Sequence, residues 1–324
     1  MIFLLQKTLV YAVPLLIVAL AGVFAERSGI INIALDGMMI FGSFCGAVFV
    51  YFCQSAGAFR GMPQILFLLA LLVSGAAGAL FSWLLSFASV KLKADQTIGG
   101  TALNLLAPAI SLLLVKVFLQ QDKLVMPKDL DYVIMSDNLP GFLQIFFDKA
   151  YLSTYLIIVL FAILSIFLYK TKTGLRLRAC GEHPQAADSV GINVYKMRYL
   201  GTTISGALAG IGGYAYIATT AGGTAQGTVA GMGFLALAIM IFGNWKPIGI
   251  ALASLLFGFL KCIAPIYAIL DLNGDGVYFL KELGLPMYFY NMLPYVAVLV
   301  VLAFTSKKSR APKAEGIPYD KGQR

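Results

Sequence analysis

Long apolar runs recur along the chain and constrain its fold more than any other feature. They occupy residues 3–24, 30–52, 64–90, 98–119, 150–169, 198–218, 232–243, 248–270 and 287–304. A helix needs about 20 apolar residues to cross the hydrocarbon core of a bilayer. Composition agrees, because 60% of the 324 residues are hydrophobic and only 12% are charged, about half the charged share of an ordinary soluble domain. A soluble fold is excluded. The expectation is an all-α integral membrane fold of about nine spans, eight to ten, over residues 1–305. The 232–243 run is too short alone, so its span is expected to include part of the glycine-rich segment before it. Glu26 and Arg27 follow the first run where a leader would carry small residues for cleavage, so this run is expected to remain as a helix.

The net charge of +9 has a distribution that suits a bilayer and not a nucleic acid. Lys91 and Lys93, then Lys170, Lys172, Arg176, Arg178, Lys196 and Arg198, then Lys246, then Lys307, Lys308, Arg310 and Lys313 fall on alternate sides of the runs. Cytoplasmic loops concentrate lysine and arginine. The opposite loops carry Asp122, Asp129, Asp131, Asp137 and Asp148, and then Asp271, Asp275 and Glu282. The amino terminus is therefore expected outside and the carboxyl terminus inside a cytoplasmic membrane, with Lys7 on the unfavourable side. Residues 306–324 are polar and basic with Pro312 and Pro318, the pattern of a disordered cytoplasmic tail. Cys45, Cys53 and Cys262 lie in or beside apolar segments and Cys180 lies in a basic loop. They form no paired framework and read as packing residues.

The loop 173–192 reads Thr-Gly-Leu-Arg-Leu-Arg-Ala-Cys-Gly-Glu-His-Pro-Gln-Ala-Ala-Asp-Ser-Val-Gly-Ile. Pro184 suits the first turn of a helix, Ala186 and Ala187 its interior, and Gly191 its C-terminal cap. The residues alone allow either a plain basic connector or a short helix able to dock into a partner. This loop resembles the coupling loop of the permeases of branched-chain amino acid, simple sugar and nucleoside importers driven by ATP-binding cassette (ABC) ATPases. Two further stretches agree. Glu26-Arg27-Ser28-Gly29-Ile30-Ile31-Asn32-Ile33-Ala34-Leu35-Asp36-Gly37-Met38-Met39 and Asp95-Gln96-Thr97-Ile98-Gly99-Gly100-Thr101-Ala102-Leu103-Asn104-Leu105 are similar to that family's nucleoside branch, with Asp36 where the branch has glutamate.

The resemblance implies a permease of the type II-like fold, built of two inverted repeats with one span joining them. It also implies a homologous second permease and an ATPase with two nucleotide-binding domains that carries the ATP and magnesium, leaving no cofactor in this chain. An extracytoplasmic binding protein or lipoprotein would deliver substrate and largely set selectivity. A nucleoside is the leading substrate, with sugars and branched-chain amino acids as alternatives. Arg176, Arg178, Gly181, Glu182, His183, Pro184, Ala186, Ala187 and Gly191 would form the ATPase-coupling surface.

Polar or glycine-rich breaks follow corresponding spans, Glu26 to Gly37 and Thr219 to Gly233, as in transporters built from repeats. Asn32 and Asp36 are four apart and share a helical face, and Asn104 adds an amide in the fourth span. Asp36 either contacts the transport pathway or secures the architecture by pairing with Arg27 or capping a broken helix. Trp83 and Phe234 either stack on a base or pack. Gly42-xxx-Gly46 and Gly206-xxx-Gly210 favour close helix packing. Lys116 and Lys261 are expected near outer helix ends, snorkelling.

Asp271-x-Asn273-x-Asp275-Gly276 with Glu282 fits the spacing of a calcium loop, but Phe279 replaces a usual ligand and Gly284 with Pro286 stops the exit helix. A turn followed by a short helix over 277–283 is expected instead. The sequence shows no phosphate-binding loop and no HExxH, and His183 is its single histidine, so enzymatic chemistry is not expected. A secondary transporter remains the rival class. It is disfavoured by the scarcity of intramembrane charges for ion coupling, essentially Asp36 and Glu26.

Overall fold

In the computed structural model, the described residues are 2–59, 61–126, 133–134, 150–270, 278–305 and 310–322. Helices dominate: α1 (Ile2–Glu26), α2 (Leu35–Ser55), α3 (Pro63–Ser86) continuing into a π-helical turn (Phe87–Lys91), α4 (Gln96–Leu119) and α5 (Leu152–Lys170). Two short helices follow, α6 (Lys172–Glu182) and α7 (Pro184–Ser189), then α8 (Val194–Thr219), α9 (Met232–Phe242), α10 (Pro247–Ile266), α11 (Phe279–Glu282) and α12 (Met287–Thr305). Among the described residues, six segments are long and apolar enough to cross a membrane: α1, α2, α3 with its π-turn, α4, α5 and α10. The chain is a multi-pass, all-α membrane protein.

α8 packs against α1, α2 and α3. It is glycine-rich because neighbouring backbones pass too close for side chains. A Cβ on Gly42 would lie 2.4 Å from the Cα of Gly210, and one on Gly206 would lie 2.4 Å from the carbonyl oxygen of Gly78. Ser74 Oγ donates to the Gly210 carbonyl across the same seam at 2.6 Å. Without a hydrophobic drive between helices in lipid, such close van der Waals contact and interhelical hydrogen bonding supply the cohesion. The glycine spacing is thus borne out as packing.

Two repeats are visible in what touches what. Gly201 lies against Phe24 and Ser28, and Gly212 against Pro14 and Val18, so α1 and α8 run antiparallel. α1 packs on α8, α9 and α10, while α8 packs on α1, α2 and α3. Exchanging α1, α2, α3 and α4 for α8, α9, α10 and α12 maps these contacts onto one another. The same exchange maps α2 with α3 and α4 onto α9 with α10 and α12. α5 joins the two sets.

Several expectations change. The segment before α9 is not helical: Gly222, Gly223, Gly227, Ala230 and Gly231 all have positive φ, which a right-handed helix does not allow. α9 is therefore a half-length helix of 11 residues. Among the described residues, four two-residue strands accompany the helices. β1 (Leu124–Val125) pairs antiparallel with β4 (Thr224–Ala225), tying the segment after α4 to the second break, and β2 (Val133–Ile134) pairs with β3 (Ala150–Tyr151). The expected helix over 277–283 shortens to Phe279–Glu282. The core of the calcium-like pattern, residues 271–277, lies outside the described residues.

The tail also differs. Residues 310–322 lie against the membrane domain, with Ala314 and Tyr319 buried. Ala314 N–H donates to the Gly181 carbonyl at 2.9 Å, and Arg198 donates to the Ile317 carbonyl at 2.9 Å. Low hydrophobicity argues for disorder only when nothing supplies partners. Here the partners are Gly181 in α6 and Arg198 in α8, far away in sequence.

Candidate translocation seam and coupling surface

The first break is closed by polar side chains from other helices. Asn104 Oδ1 accepts from Gly37 N–H at 2.7 Å, and Asn104 Nδ2 donates to the Ile33 carbonyl at 2.9 Å. Gln96 Oε1 accepts from Ile31 N–H at 2.7 Å. Asn32 Nδ2 donates to Ser205 Oγ on α8 at 2.8 Å. Irregular backbone inside a bilayer persists only when such partners satisfy it.

Asp36 joins the two breaks. Its Oδ1 accepts from Gly233 N–H at 2.9 Å, and the Phe234 N–H also reaches the carboxylate. The carboxylate therefore sits at the N-terminus of α9, where unpaired N–H groups and the helix dipole favour an anion. Gly233 leaves the room for this: a Cβ there would lie 2.4 Å from Asp36 Cα. Lys261 is within electrostatic reach of Asp36, and its Nζ donates to the Ala230 carbonyl at 3.2 Å. Lys261 is thus bonded at the second break. It lies five residues before Ile266, the last residue of α10, roughly 7.5 Å from that end. Lys116 sits in the last turn of α4, 3.9 Å from Asp122.

Asn32, Asp36, Asn104 and the backbone of Phe234 thus converge on one seam, while Trp83 does not. Trp83 is 52% exposed and donates from Nε1 to Thr203 Oγ1 at 3.0 Å, on the outer side of α3 and α8. The seam's unforeseen members are Ser205, Gly233 and Lys261. Only Lys261 had a local signal, as a cation inside an apolar run.

At the end of α1 the seam meets the 171–193 loop. Pro184 opens α7 as expected. Gly191 lies just beyond the helix with φ +83. α6 is an unforeseen helix, capped by Thr171 Oγ1 accepting from Gly174 N–H at 3.1 Å. Glu182 pairs with Arg27 at 3.0 Å, and Gly181 packs so tightly on the first break that a Cβ would lie 2.4 Å from the Arg27 carbonyl oxygen. Arg178 stacks its guanidinium 5.0 Å from the Tyr169 ring centroid.

The exposed face of the loop holds Leu175, Arg176, His183, Gln185, Ala186 and Val190. Ala187 is not part of that face. It is 4% exposed and packs with Cys180, Val194 and Tyr319, because α7 lies on the tail and α8 with that side. Burial pushes the Cys180 thiol up to about 11, the state of an inert packing thiol.

The tail clasps this assembly. Lys93 pairs with Asp320 at 2.6 Å, which raises the lysine and lowers the carboxyl. Arg310 N–H donates to Asn244 Oδ1 at 2.9 Å. Trp245 Nε1 donates to Glu26 Oε2, joining the end of α1 to the turn after α9. Burial pushes the Glu315 carboxyl up to about 7, although Arg27 draws it down. A carboxyl whose pKa is higher in the docked tail than in the free one makes docking bind protons. Its contribution is complete below the ordinary carboxylate range and is lost as pH rises through about 7. A nitroxide at Ile317 should accordingly gain mobility as pH rises from about 5 to about 7 and little above that, and Glu315→Gln should flatten that response. An unchanged pH response in Glu315→Gln would remove Glu315 as its cause.

Two broken helices that meet through a carboxylate inside a membrane domain, with a helical loop resting on one of the breaks, define a polytopic transport permease. The chain belongs to the family of branched-chain amino acid transport system permease components, which it matches over residues 4–303. It is 42% identical to the guanosine ABC transporter permease protein NupQ of Bacillus subtilis, over 98% of this chain and 96% of the relative. It is also 42% identical to the nucleoside ABC transporter permease protein NupC of Lactococcus lactis, over 97% and 96%. A putative glucose ABC transporter permease protein of Haloferax volcanii is 28% identical over 80% and 76%. No solved structure matches the chain.

Proposed function

We propose that this chain is the non-catalytic permease subunit of an ATP-driven nucleoside importer. The observation that carries the reading is near-full-length identity of 42% to two permeases named for guanosine and nucleoside transport, against 28% to one named for glucose. The proposed topology has nine spans, counting α8, the half-length α9 and α12, with the amino terminus outside and the carboxyl terminus in the cytoplasm.

The proposed partners are an ATPase with two nucleotide-binding domains, a homologous second permease and an extracytoplasmic binding protein. ATP and magnesium would be held by the ATPase. Closure of the ATPase domains would push on α7, and the Glu182–Arg27 ion pair with the Gly181 contact would carry that displacement into the first break. Asp36 ties that break to α9, so the two repeats would move about a shared joint.

Substrate flux into proteoliposomes tests the reading. The chain alone, under an imposed proton or sodium gradient, should move no guanosine. Addition of the ATPase, second permease and binding protein should give ATP-dependent uptake. Robust gradient-driven uptake by the chain alone would make it a secondary transporter. Uptake of glucose or leucine in preference to guanosine by the complete set would reassign the substrate. Single-cysteine labelling at Gln185 from outside the cell would reverse the orientation.

A further inference from the structure

A groove of about 820 Å³ opens between the π-turn end of α3 and the start of α8. It has a polar end and an apolar end. Lys91, Lys93 and Lys196 line one end, and Leu200, Tyr199 and Trp83 continue along it. Trp83 lies eight residues before Lys91 on α3, and its partner Thr203 lies seven residues after Lys196 on α8. At 1.5 Å per helical residue these are roughly 12 Å and 10 Å, so both helices place their lysines at one level and the Trp83–Thr203 pair about a headgroup-to-chain distance away.

Lys93 is already neutralised by Asp320 at 2.6 Å, whereas neither Lys91 nor Lys196 forms an ion pair among the described residues. Two uncompensated cations thus share the mouth of a groove whose remaining wall is mostly aromatic and aliphatic, with Asn193 and Thr203 as its polar members. We propose that this groove is a binding site for an anionic phospholipid, with the phosphate held by Lys91 and Lys196 and the glycerol and upper chain lying along Leu200 toward Trp83. Lysines at a membrane surface attract anionic lipid, and tryptophan and tyrosine settle at the level between headgroup and chain. A soluble anion would satisfy the lysines but not the apolar wall, and a neutral lipid the reverse.

Trp83 reports on its own site, because the only other tryptophan, Trp245, is buried at 3% exposure. The full chain is placed in phosphatidylcholine vesicles containing a small fraction of brominated phosphatidylglycerol or brominated phosphatidylcholine, and Trp83→Phe identifies the Trp83 signal. Brominated phosphatidylglycerol should quench Trp83 at a fraction where brominated phosphatidylcholine leaves it bright. The Lys91→Ala/Lys196→Ala double variant should weaken that preference by about thirtyfold, about fivefold for each lysine. The Lys91→Arg/Lys196→Arg variant, which keeps both charges, should retain it. Equal quenching by the two lipids in the wild-type chain, or an undiminished preference in the double alanine variant, would overturn the proposal. Loss of quenching by both lipids in the assembled transporter would give the groove to a partner chain and overturn it equally.

Discussion

Ala186→Arg and Val190→Asp should each abolish ATP-dependent uptake while leaving the protein folded in the membrane. Both side chains belong to the outward face of the 171–193 loop, where Val190 is 74% exposed although apolar. Neither substitution disturbs a contact within the chain, so a loss of transport would be a loss of docking. Forcing a charge into a close-packed partner groove costs about 3–5 kcal/mol when it finds no counter-charge, enough to weaken the docked state by more than about a hundredfold. Ala187→Arg should behave differently. Ala187 packs against Cys180, Val194 and Tyr319, so an arginine there would overpack the chain's own interior and lower the thermal midpoint of the purified subunit. Coupled ATPase activity and thermal unfolding in detergent separate the two outcomes. Normal ATP-dependent uptake by both Ala186→Arg and Val190→Asp would move the ATPase contact elsewhere on the chain.

Asp36→Ala should be the most damaging single change in the membrane interior. It strips the acceptor from the Gly233 and Phe234 N–H groups at the start of α9 and leaves Lys261 without its nearby carboxylate. Orphaned buried donors cost about 1–3 kcal/mol each, and Lys261, half-buried and still held by the Ala230 carbonyl and the Tyr295 ring, adds a smaller lost attraction. Together these remove a large fraction of the stability of a typical domain. Asp36→Ala should accordingly fail to accumulate as a monodisperse protein. Asp36→Asn keeps an acceptor oxygen for the α9 N-terminus and should be recovered in quantity with a lowered thermal midpoint. Wild-type stability in Asp36→Ala would refute the joint between the repeats. A stable Asp36→Asn protein that assembles but does not transport would show that the carboxylate also acts on the pathway.

What was legible in the sequence is what depends on neighbours along the chain. Hydropathy places a helix wherever about 20 apolar residues recur, so α1 to α5, α8, α10 and α12 begin and end within a few residues of the runs that announced them. Local turn chemistry did the same for the breaks, since the helix end at Glu26 is followed by Gly29 and the one at Thr219 by Gly222, Gly223, Gly227 and Gly231, all with positive φ. Pro184 marked the start of α7 for the same reason.

What only the tertiary structure decided is which side chains satisfy those breaks. Asp36 and Gly233 are 197 residues apart, and Asn104 and Gly37 are 67 apart. A pattern with a period of 3.6 residues carries no information about such partners. The same limit explains Ala187, whose small size suits either a docking face or an interior, and the tail, whose polar composition is that of a free end until Gly181, Arg198 and Lys93 supply it with partners. In a bilayer an unsatisfied backbone group costs several kcal/mol, so once the helices assemble, the breaks must find those distant acceptors and donors.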